Sequence, residues 1–170
     1  MQLYRYNSKE HIRRQLWEGF DHPGILLFRS RELEAIAGYT ENNPLSIKKR
    51  VLDLGCGEGN IGSMVFNKID VGLDLSFGNR LNSAANKTYK FLVAADAGNM
   101  PFKDNTFDLV FSNSVIEHIK DMDKVLGEVS RVLGPGGLFI FTVPSCKFTQ
   151  SLGWKFYSAL RNRQLKHFNL

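Results

Sequence analysis

The stretch Val51-Leu-Asp-Leu-Gly-Cys-Gly-Glu-Gly59 reads as a short buried strand that runs into a Gly-x-Gly-x-Gly turn. Glycines at this spacing allow a sharp turn, and no Cβ hinders a ligand that approaches their backbone. A second strand is predicted over residues 69–74, with Asp74 at its end. Asp74 follows Asp53 by 21 positions, close to the spacing at which a nucleotide-binding βαβ unit places the carboxylate that binds ribose hydroxyls. The two segments therefore predict a βαβ unit with a nucleotide-like ligand.

The spacing and charge of the turn narrow the class of ligand. A dinucleotide fingerprint has Gly-x-Gly-x-x-Gly and holds a pyrophosphate at a helix N-terminus. Here Asn60 occupies the third glycine position, and Gly59 comes one residue early. Asp53 and Glu58 add negative charge, which opposes a pyrophosphate and suits an ammonium or sulfonium group. S-Adenosylmethionine (SAM) carries both groups and a ribose, so it fits the loop. The alternative function, that of an NAD(P)-dependent oxidoreductase, is disfavoured by the spacing and charge of this loop.

Five segments of the chain resemble, in order and spacing, those of class I SAM-dependent methyltransferases. They are Asp53-Leu-Gly-Cys-Gly-Glu-Gly59, Gly72-Leu-Asp-Leu-Ser76, Ala94-Ala-Asp-Ala97 with Met100-Pro-Phe102, Phe107-Asp-Leu-Val-Phe-Ser-Asn-Ser114 with Val115-Ile-Glu-His118, and Arg131-Val-Leu-Gly-Pro-Gly-Gly137. The first is similar to motif I of that family. The resemblance covers residues 47–144 and extends to the small-molecule branch that includes ubiquinone and menaquinone methyltransferases.

The resemblance implies a cofactor site for SAM, with S-adenosylhomocysteine as the product. Asp53 would accept a hydrogen bond from the methionine amino group, directly or through water. Asp74 would bind the ribose hydroxyls, and Asp96 would accept the adenine amino group. The full implied set is Asp53, Gly55, Cys56, Gly57, Gly59, Asp74, Leu75, Asp96, Ala97, Asn113 and Ser114. Met100 and Phe102 are more often core residues than cofactor contacts, so we expect only an apolar wall there.

The implied reaction is methyl transfer to a small organic acceptor by in-line displacement. The alternative is a SAM-binding module without catalysis, or a truncated methyltransferase domain. His118 is a weak candidate for a catalytic base, because histidine commonly moves protons near neutral pH. A Glu117-His118 pair is common in the resembled family whatever the substrate, so a structural or cofactor-orienting role is favoured. His22 and Arg29 are candidate substrate contacts, and no metal site is predicted.

Alternating segments predict an α/β fold with a Rossmann-like, doubly wound, mostly parallel sheet of order 3-2-1-4-5. Strands are expected near residues 50–54, 69–74, 91–95, 107–112 and 137–143, and helices near 59–66, 76–86 and 122–133. Before them, Ser8 is a candidate N-cap. The helix that it caps would place Ile12, Leu16, Trp17 and Phe20 on one face. A second helix would follow Pro23 and end near Gly38.

We expect three regions: an N-terminal helical cap (1–45), a SAM-binding core (46–146) and a basic aromatic tail or lid helix (147–170). The resembled family usually ends with a further antiparallel pair of strands, for which little sequence follows residue 146. The strand at 137–143 would then be an apolar edge, which is a pairing hazard. We therefore expect a truncated chain or a partner on that edge, including a second copy of this chain.

Composition favours one cytoplasmic domain. The 170 residues suffice for a single core, and no apolar run approaches the roughly 20 residues of a membrane span. No secretory signal is visible, and Cys56 and Cys146 are expected to be reduced. The net charge of the chain is +5, and the tail over 147–170, which has no acidic residue, alone carries +5. The basic character of the chain therefore belongs to this tail. This basic, aromatic tail is a candidate for peripheral contact with a membrane surface. No nucleic-acid partner is expected, because no Asn-Pro-Pro-Tyr-like motif follows the fourth strand.

Overall fold

The computed structural model describes residues 6–19, 23–46, 49–77 and 85–144. Its centre is a sheet of five parallel strands in the order β3-β2-β1-β4-β5. The strands are β1 (Val51–Leu54), β2 (Ile69–Asp74), β3 (Tyr89–Ala94), β4 (Phe107–Asn113) and β5 (Leu133–Thr142). The predicted fold class and the order 3-2-1-4-5 are confirmed. The order reverses between β1 and β4, which is where such sheets bind ligands.

Helices cover both faces of the sheet. They are α1 (Lys9–Gly19), α2 (Pro23–Asn42), α3 (Asn60–Val65), α4 (Ala85–Thr88) and α5 (Met122–Val132), with a short 3-10 turn at Ile116–His118. One apolar cluster joins α1, α2 and α3 to the face that carries Val51. A second cluster joins α5 to the face that carries Leu52 and Leu54. Because β1 alternates its side chains between these clusters, Asp53 points to the same side as α3.

The N-terminal helices differ from their prediction at two points. Ser8 is the N-cap, as predicted, because its hydroxyl accepts a hydrogen bond from the backbone N–H of His11 at 3.2 Å. Trp17 does not share the buried face of Leu16, since it lies about 100° further around the helix axis and is 71% exposed. The second helix continues past Gly38 to Asn42, whose side-chain amide donates to the Gly38 carbonyl at 2.8 Å.

Three core elements also begin elsewhere than predicted, and one of them is β3, which starts at Tyr89 and not near residue 91. The fifth strand starts directly after α5 at Leu133, so the Gly134–Gly137 turn is incorporated into the strand as an irregularity. The register with β4 shifts between Phe107 and Leu109 to accommodate it. The predicted helix at 76–86 is wrong at its start, because Ser76 and Phe77 are not helical. Its residues 78–84 lie outside the described part.

The fifth strand forms one edge of the described sheet, as predicted. Leu138 and Phe141 along it, and Val143 directly after it, are between 43% and 47% exposed. Coverage of this edge by a partner or a second copy stays a prediction. Several residues that the sequence analysis named lie outside the described part: Phe20, His22, Cys146 and the basic tail. None of the described helices has the length and apolarity needed to span a membrane.

Candidate cofactor site

The glycine loop after β1 forms the floor of the site. Gly55, Gly57 and Gly59 have φ angles of 73°, 52° and 77°, in the left-handed region that favours glycine. At Gly55 space is also limiting, because an added Cβ would overlap the side chain of Val115. This close approach brings the loop after β1 against the loop after β4. The site therefore lies at the switch point of the sheet.

Hydrogen bonds from the end of β2 hold the glycine loop in place. The Leu73 carbonyl accepts hydrogen bonds from the N–H groups of Gly55 at 2.7 Å and Cys56 at 3.1 Å. The Asp74 side chain accepts a hydrogen bond through Oδ2 from the Gly57 N–H at 2.8 Å. Asp74 is therefore held against the loop at the end of β2, where the sequence places the ribose-binding carboxylate.

Beyond Asp74 lies a cleft of about 460 Å³, which we call the larger cleft. This size is in the range of small-molecule sites. It contains five residues of the implied cofactor set: Gly55, Asp74, Leu75, Ala97 and Asp96. Its opposite wall is formed by residues that the sequence did not single out, Ile119, Lys120, Asp121, Lys124 and Val125. They come from the start of α5 and the turn before it, where no local motif marks them.

Met100 and Phe102 lie in the core and do not line the larger cleft. Both side chains pack into the second apolar cluster, where Phe102 meets Phe107 edge-on at 5.1 Å between ring centres. Their segment has a positioning role instead. Glu128 accepts a hydrogen bond from the Met100 N–H at 2.7 Å, and Arg131 donates to the Phe102 carbonyl at 2.7 Å. These bonds attach the loop that carries Asp96 to α5.

Glu128 and Arg131 form a close ion pair in this region. Arg131 Nε lies 2.6 Å from Glu128 Oε1, and this hydrogen bond lowers the pKa of Glu128 to about 2. The pair is therefore charged across the physiological pH range and keeps the loop attached.

A smaller cleft of about 230 Å³ lies on the other side of Val115. It contains most of the remaining implied set: Asp53, Cys56, Gly57, Asn113 and Ser114. Gly55 and Val115 line both clefts, so the two are adjacent compartments of one site. Gly59 lines neither and is buried at the start of α3, where its carbonyl accepts from the Ser63 N–H.

Asp53 is the most deeply buried charge of the site, with 3% of its surface exposed. The hydroxyl of Tyr89 donates a hydrogen bond to its Oδ2 atom. Burial raises the pKa of Asp53 to about 7, the hydrogen bond from Tyr89 opposes this shift, and the nearby charge of Asp74 adds to it. The carboxyl therefore changes protonation near neutral pH in the ligand-free protein.

Arg29 of α2 places a cation at the smaller cleft. Its Nη1 atom donates to Glu32 at 2.6 Å, Ser114 at 3.1 Å and Asn113 at 3.2 Å. Ser114, whose φ angle is 53°, donates its hydroxyl to Glu32 in turn. This network joins α2 to the end of β4. Arg29 was singled out as a substrate contact, and its position in the smaller cleft gives it access to a ligand there.

His118 lines the larger cleft and not the smaller one. Its side chain is 70% exposed, and Nε2 lies 4.0 Å from the Glu117 carboxylate. Ser112 is fully buried and donates to the Leu54 carbonyl at 3.0 Å, so it joins β4 to β1. Among the described residues no cluster of three or more histidine, cysteine, aspartate or glutamate side chains is arranged to hold a metal.

Comparison with known proteins identifies the family. Residues 52–141 match the model of the methyltransferase domain family, which is more than half of the chain. The chain therefore belongs to the class I SAM-dependent methyltransferases. This agrees with the strand order, the glycine loop and the acid at the end of β2.

Three similar proteins illustrate the relationship. A sterol 4-C-methyltransferase of Caenorhabditis elegans is 37% identical over 112 residues, which cover 59% of this chain and 32% of that protein. A demethylmenaquinone methyltransferase of Symbiobacterium thermophilum is 32% identical, covering 63% and 47%. The solved structure of a SAM-dependent methyltransferase from Thermotoga maritima has a TM-score of 0.50 at 25% identity, covering 64% and 53%. The aligned part of the chain thus spans 32% and 47% of the lengths of the two curated relatives, less than half of each.

Proposed function

We propose that this protein binds SAM across the two clefts and transfers its methyl group to a small organic acceptor. The observation that carries the proposal is the pair of carboxylates on either side of the shared wall of Gly55 and Val115. Asp74 lines the larger cleft and Asp53 the smaller one. A ligand with a ribose at one end and an ammonium at the other matches this arrangement.

The charges of the two clefts fit the parts of SAM. Asp74 would accept hydrogen bonds from the ribose hydroxyls, with Asp96 and Ala97 beside the adenine and Leu75 as an apolar surface. Asp53 would attract the methionine ammonium. Arg29 would pair with the methionine carboxylate, because a guanidinium binds carboxylates strongly through its fixed fork of donors. The buried Asp53 otherwise lacks a cationic partner among its described hydrogen bonds, which supports a cationic ligand group there.

When bound, SAM supplies a methyl group on a positively charged sulfur, which is already a good leaving group. The protein's own residues then have to align the reactants and exclude water. Alignment alone contributes roughly 7–11 kcal/mol in favourable reactions. The close packing of Gly55 against Val115 and the Arg29 network set the shape of the smaller cleft, where the amino-acid end is expected. A general base is required only for an acceptor that must lose a proton.

The position of His118 favours a structural or cofactor-orienting role. It lines the larger cleft, whereas Asp53 and Ser114 line the smaller one. The names of the two curated relatives, a sterol and a demethylmenaquinone methyltransferase, support a small organic acceptor. We place the activity in the cytoplasm and expect S-adenosylhomocysteine as the product.

Isothermal titration with SAM, S-adenosylhomocysteine and NADH tests this proposal. We expect micromolar binding of the first two and none of NADH. Asp74→Ala is expected to weaken both by at least about tenfold, because a charge-assisted hydrogen bond is lost. Asp123→Ala is the matched control, since Asp123 is exposed on α5 and lines neither cleft.

The outcomes separate the alternatives. Binding of NADH instead of SAM would contradict the proposal and favour an oxidoreductase. Binding of SAM without turnover on an acceptor panel would favour a SAM-binding module without catalysis.

A further inference from the structure

Tyr89 reaches Asp53 from a strand that does not neighbour β1. Tyr89 begins β3, and β2 lies between β3 and β1 in the sheet. Its side chain is 8% exposed, and its hydroxyl donates to Asp53 Oδ2. The hydroxyl therefore acts on the carboxylate that lines the smaller cleft, although Tyr89 itself lines neither cleft.

Two glycines provide the space for this contact. At Gly72 of β2 an added Cβ would lie 2.8 Å from the Tyr89 ring and 2.8 Å from Cys56 Sγ. At Gly62 of α3 it would overlap both the Tyr89 hydroxyl and the Asp53 carboxylate. Neither glycine is in the left-handed region, and a glycine within a helix or strand costs roughly 0.5–1 kcal/mol relative to alanine. Both glycines leave room for the Tyr89 side chain, and Gly62 also leaves room for the Asp53 carboxylate.

We propose that Tyr89 is a positioning residue for cofactor binding, whose hydroxyl orients the Asp53 carboxylate and favours its charged form toward the methionine ammonium. This inference rests on the proposed function, because it assigns the ammonium to Asp53. A hydrogen bond donated to a carboxylate stabilises the charged form more than the neutral one. The tyrosine thus counteracts part of the effect of burial.

Several titratable groups surround Asp53 besides Tyr89. Among the described residues they are Asp74 of β2, Cys56 and Glu58 of the glycine loop, and Arg29 of α2. Burial raises the pKa of the Cys56 thiol, so that it is neutral near pH 7. The charge of Asp74 raises the pKa of Asp53, and the hydrogen bond from Tyr89 lowers it. Removing the hydroxyl therefore raises the pKa of Asp53 above about 7.

Calorimetric titration with S-adenosylhomocysteine at several pH values tests the inference in Tyr89→Phe. The useful window lies below the pKa of the ligand's α-amino group, which exceeds the roughly 7.7–8.0 of a peptide N-terminus because the ligand's own carboxylate stabilises the ammonium. The wild-type affinity is expected to rise with pH and to level off above about pH 7, where Asp53 is mostly ionised. In Tyr89→Phe the rise is expected to continue through the window. An increase of about one unit in the pKa of Asp53 would weaken binding about fivefold at pH 7 and nearly tenfold at lower pH.

Two controls separate this effect from a structural one. Tyr6→Phe removes the hydroxyl of another buried tyrosine, which packs on Phe66 and lines neither cleft. It is expected to keep the wild-type pH profile. 5′-Methylthioadenosine lacks the ammonium and carboxylate, so its affinity is expected to be unchanged by Tyr89→Phe. A wild-type pH profile in Tyr89→Phe, or an equal loss for both ligands, would overturn the inference.

The design also distinguishes failure of the proposed function, because wild-type protein would then bind neither SAM nor S-adenosylhomocysteine. If Tyr89→Phe does not fold, 3-fluorotyrosine at position 89 replaces it. Fluorine makes the phenol a stronger hydrogen-bond donor, so the pH at which binding levels off is expected to decrease. An unchanged or increased value would overturn the inference.

Discussion

The two clefts place their charges in opposite environments. In the larger cleft Asp96 is exposed and Asp74 is half-buried, so water competes for both carboxylates. In the smaller cleft Asp53 is 3% exposed, and Arg29 is held by Glu32 and the end of β4. Electrostatic interactions strengthen where water is excluded. The smaller cleft is therefore expected to contribute more to the binding affinity and to its pH dependence. The larger cleft is expected to contribute more to selectivity for the shape of the ligand.

The largest expected effect is on the stability of the ligand-free protein. Asp53 has a pKa of about 7 when folded, against its ordinary 3.8. Because the raised pKa favours the protonated carboxyl in the folded state, the stability that Asp53 contributes is fully present below about pH 4 and is lost as pH rises through about 7. The free energy of unfolding decreases by at most about 4 kcal/mol over this range. Denaturant unfolding between these pH values is expected to show this decrease in the wild type and a smaller one in Asp53→Asn. Asp96→Asn, on the exposed carboxylate, is expected to follow the wild type; an unchanged slope in Asp53→Asn would contradict the difference between the clefts.

The wall shared by the clefts is tested by Gly55→Ala. Its Cβ would overlap Val115, and alanine at a positive φ costs roughly 1–2 kcal/mol. We expect at least about hundredfold weaker binding of SAM by calorimetry, about 3 kcal/mol. Gly127→Ala is the matched control, because an added Cβ there meets nothing within 4 Å on helix α5. Partial recovery in Gly55→Ala with Val115→Ala would attribute the loss to this contact, and wild-type binding by Gly55→Ala would argue against a shared wall.

The cation of the smaller cleft is tested by Arg29→Met. Binding of S-adenosylhomocysteine is expected to weaken by about tenfold, because a charge-assisted hydrogen bond contributes roughly 1.5–3 kcal/mol. Binding of 5′-methylthioadenosine, which lacks the carboxylate, is expected to stay the same. Arg31→Met, an exposed position on the same helix, provides the control. Equal loss for both ligands would indicate that Arg29 only supports the fold.

The smallest effect is expected for His118→Ala. Its side chain is 70% exposed at the larger cleft, so SAM affinity and turnover are each expected to change by less than about threefold. Removal of a general base typically lowers the rate by about 10²–10⁴-fold. A decrease of that size in turnover, with unchanged affinity, would assign His118 to catalysis.

The same comparison explains what the sequence could predict. The strands were predictable because buried parallel strands are short apolar runs between turns. Residues of the larger cleft such as Asp74 and Asp96 lie at or just after the ends of their strands, so a local motif marks them. Around the smaller cleft, the hydrogen bonds join Arg29 to Asn113, 84 positions apart, and Tyr89, behind the cleft, to Asp53, 36 positions apart. No local pattern encodes pairs that only the assembled sheet brings together.

The errors have similar physical causes. The start of β5 at Leu133 depends on a register shift against β4, which is a property of the pair of strands and not of one segment. Met100 is buried by Phe107 and α5, and its apolar character alone could not tell that core from the wall of a cleft. Trp17 is exposed although it neighbours Leu16 in sequence, because one helical position separates a buried face from an exposed one.

A crystal structure of the protein with S-adenosylhomocysteine is the most direct test of a single site formed by two clefts. We predict adenosine in the larger cleft, with Asp74 at the ribose, and the amino-acid end in the smaller cleft, with its ammonium at Asp53 and its carboxylate at Arg29. A ligand confined to the larger cleft, with Asp53 still bonded only to Tyr89, would contradict this arrangement.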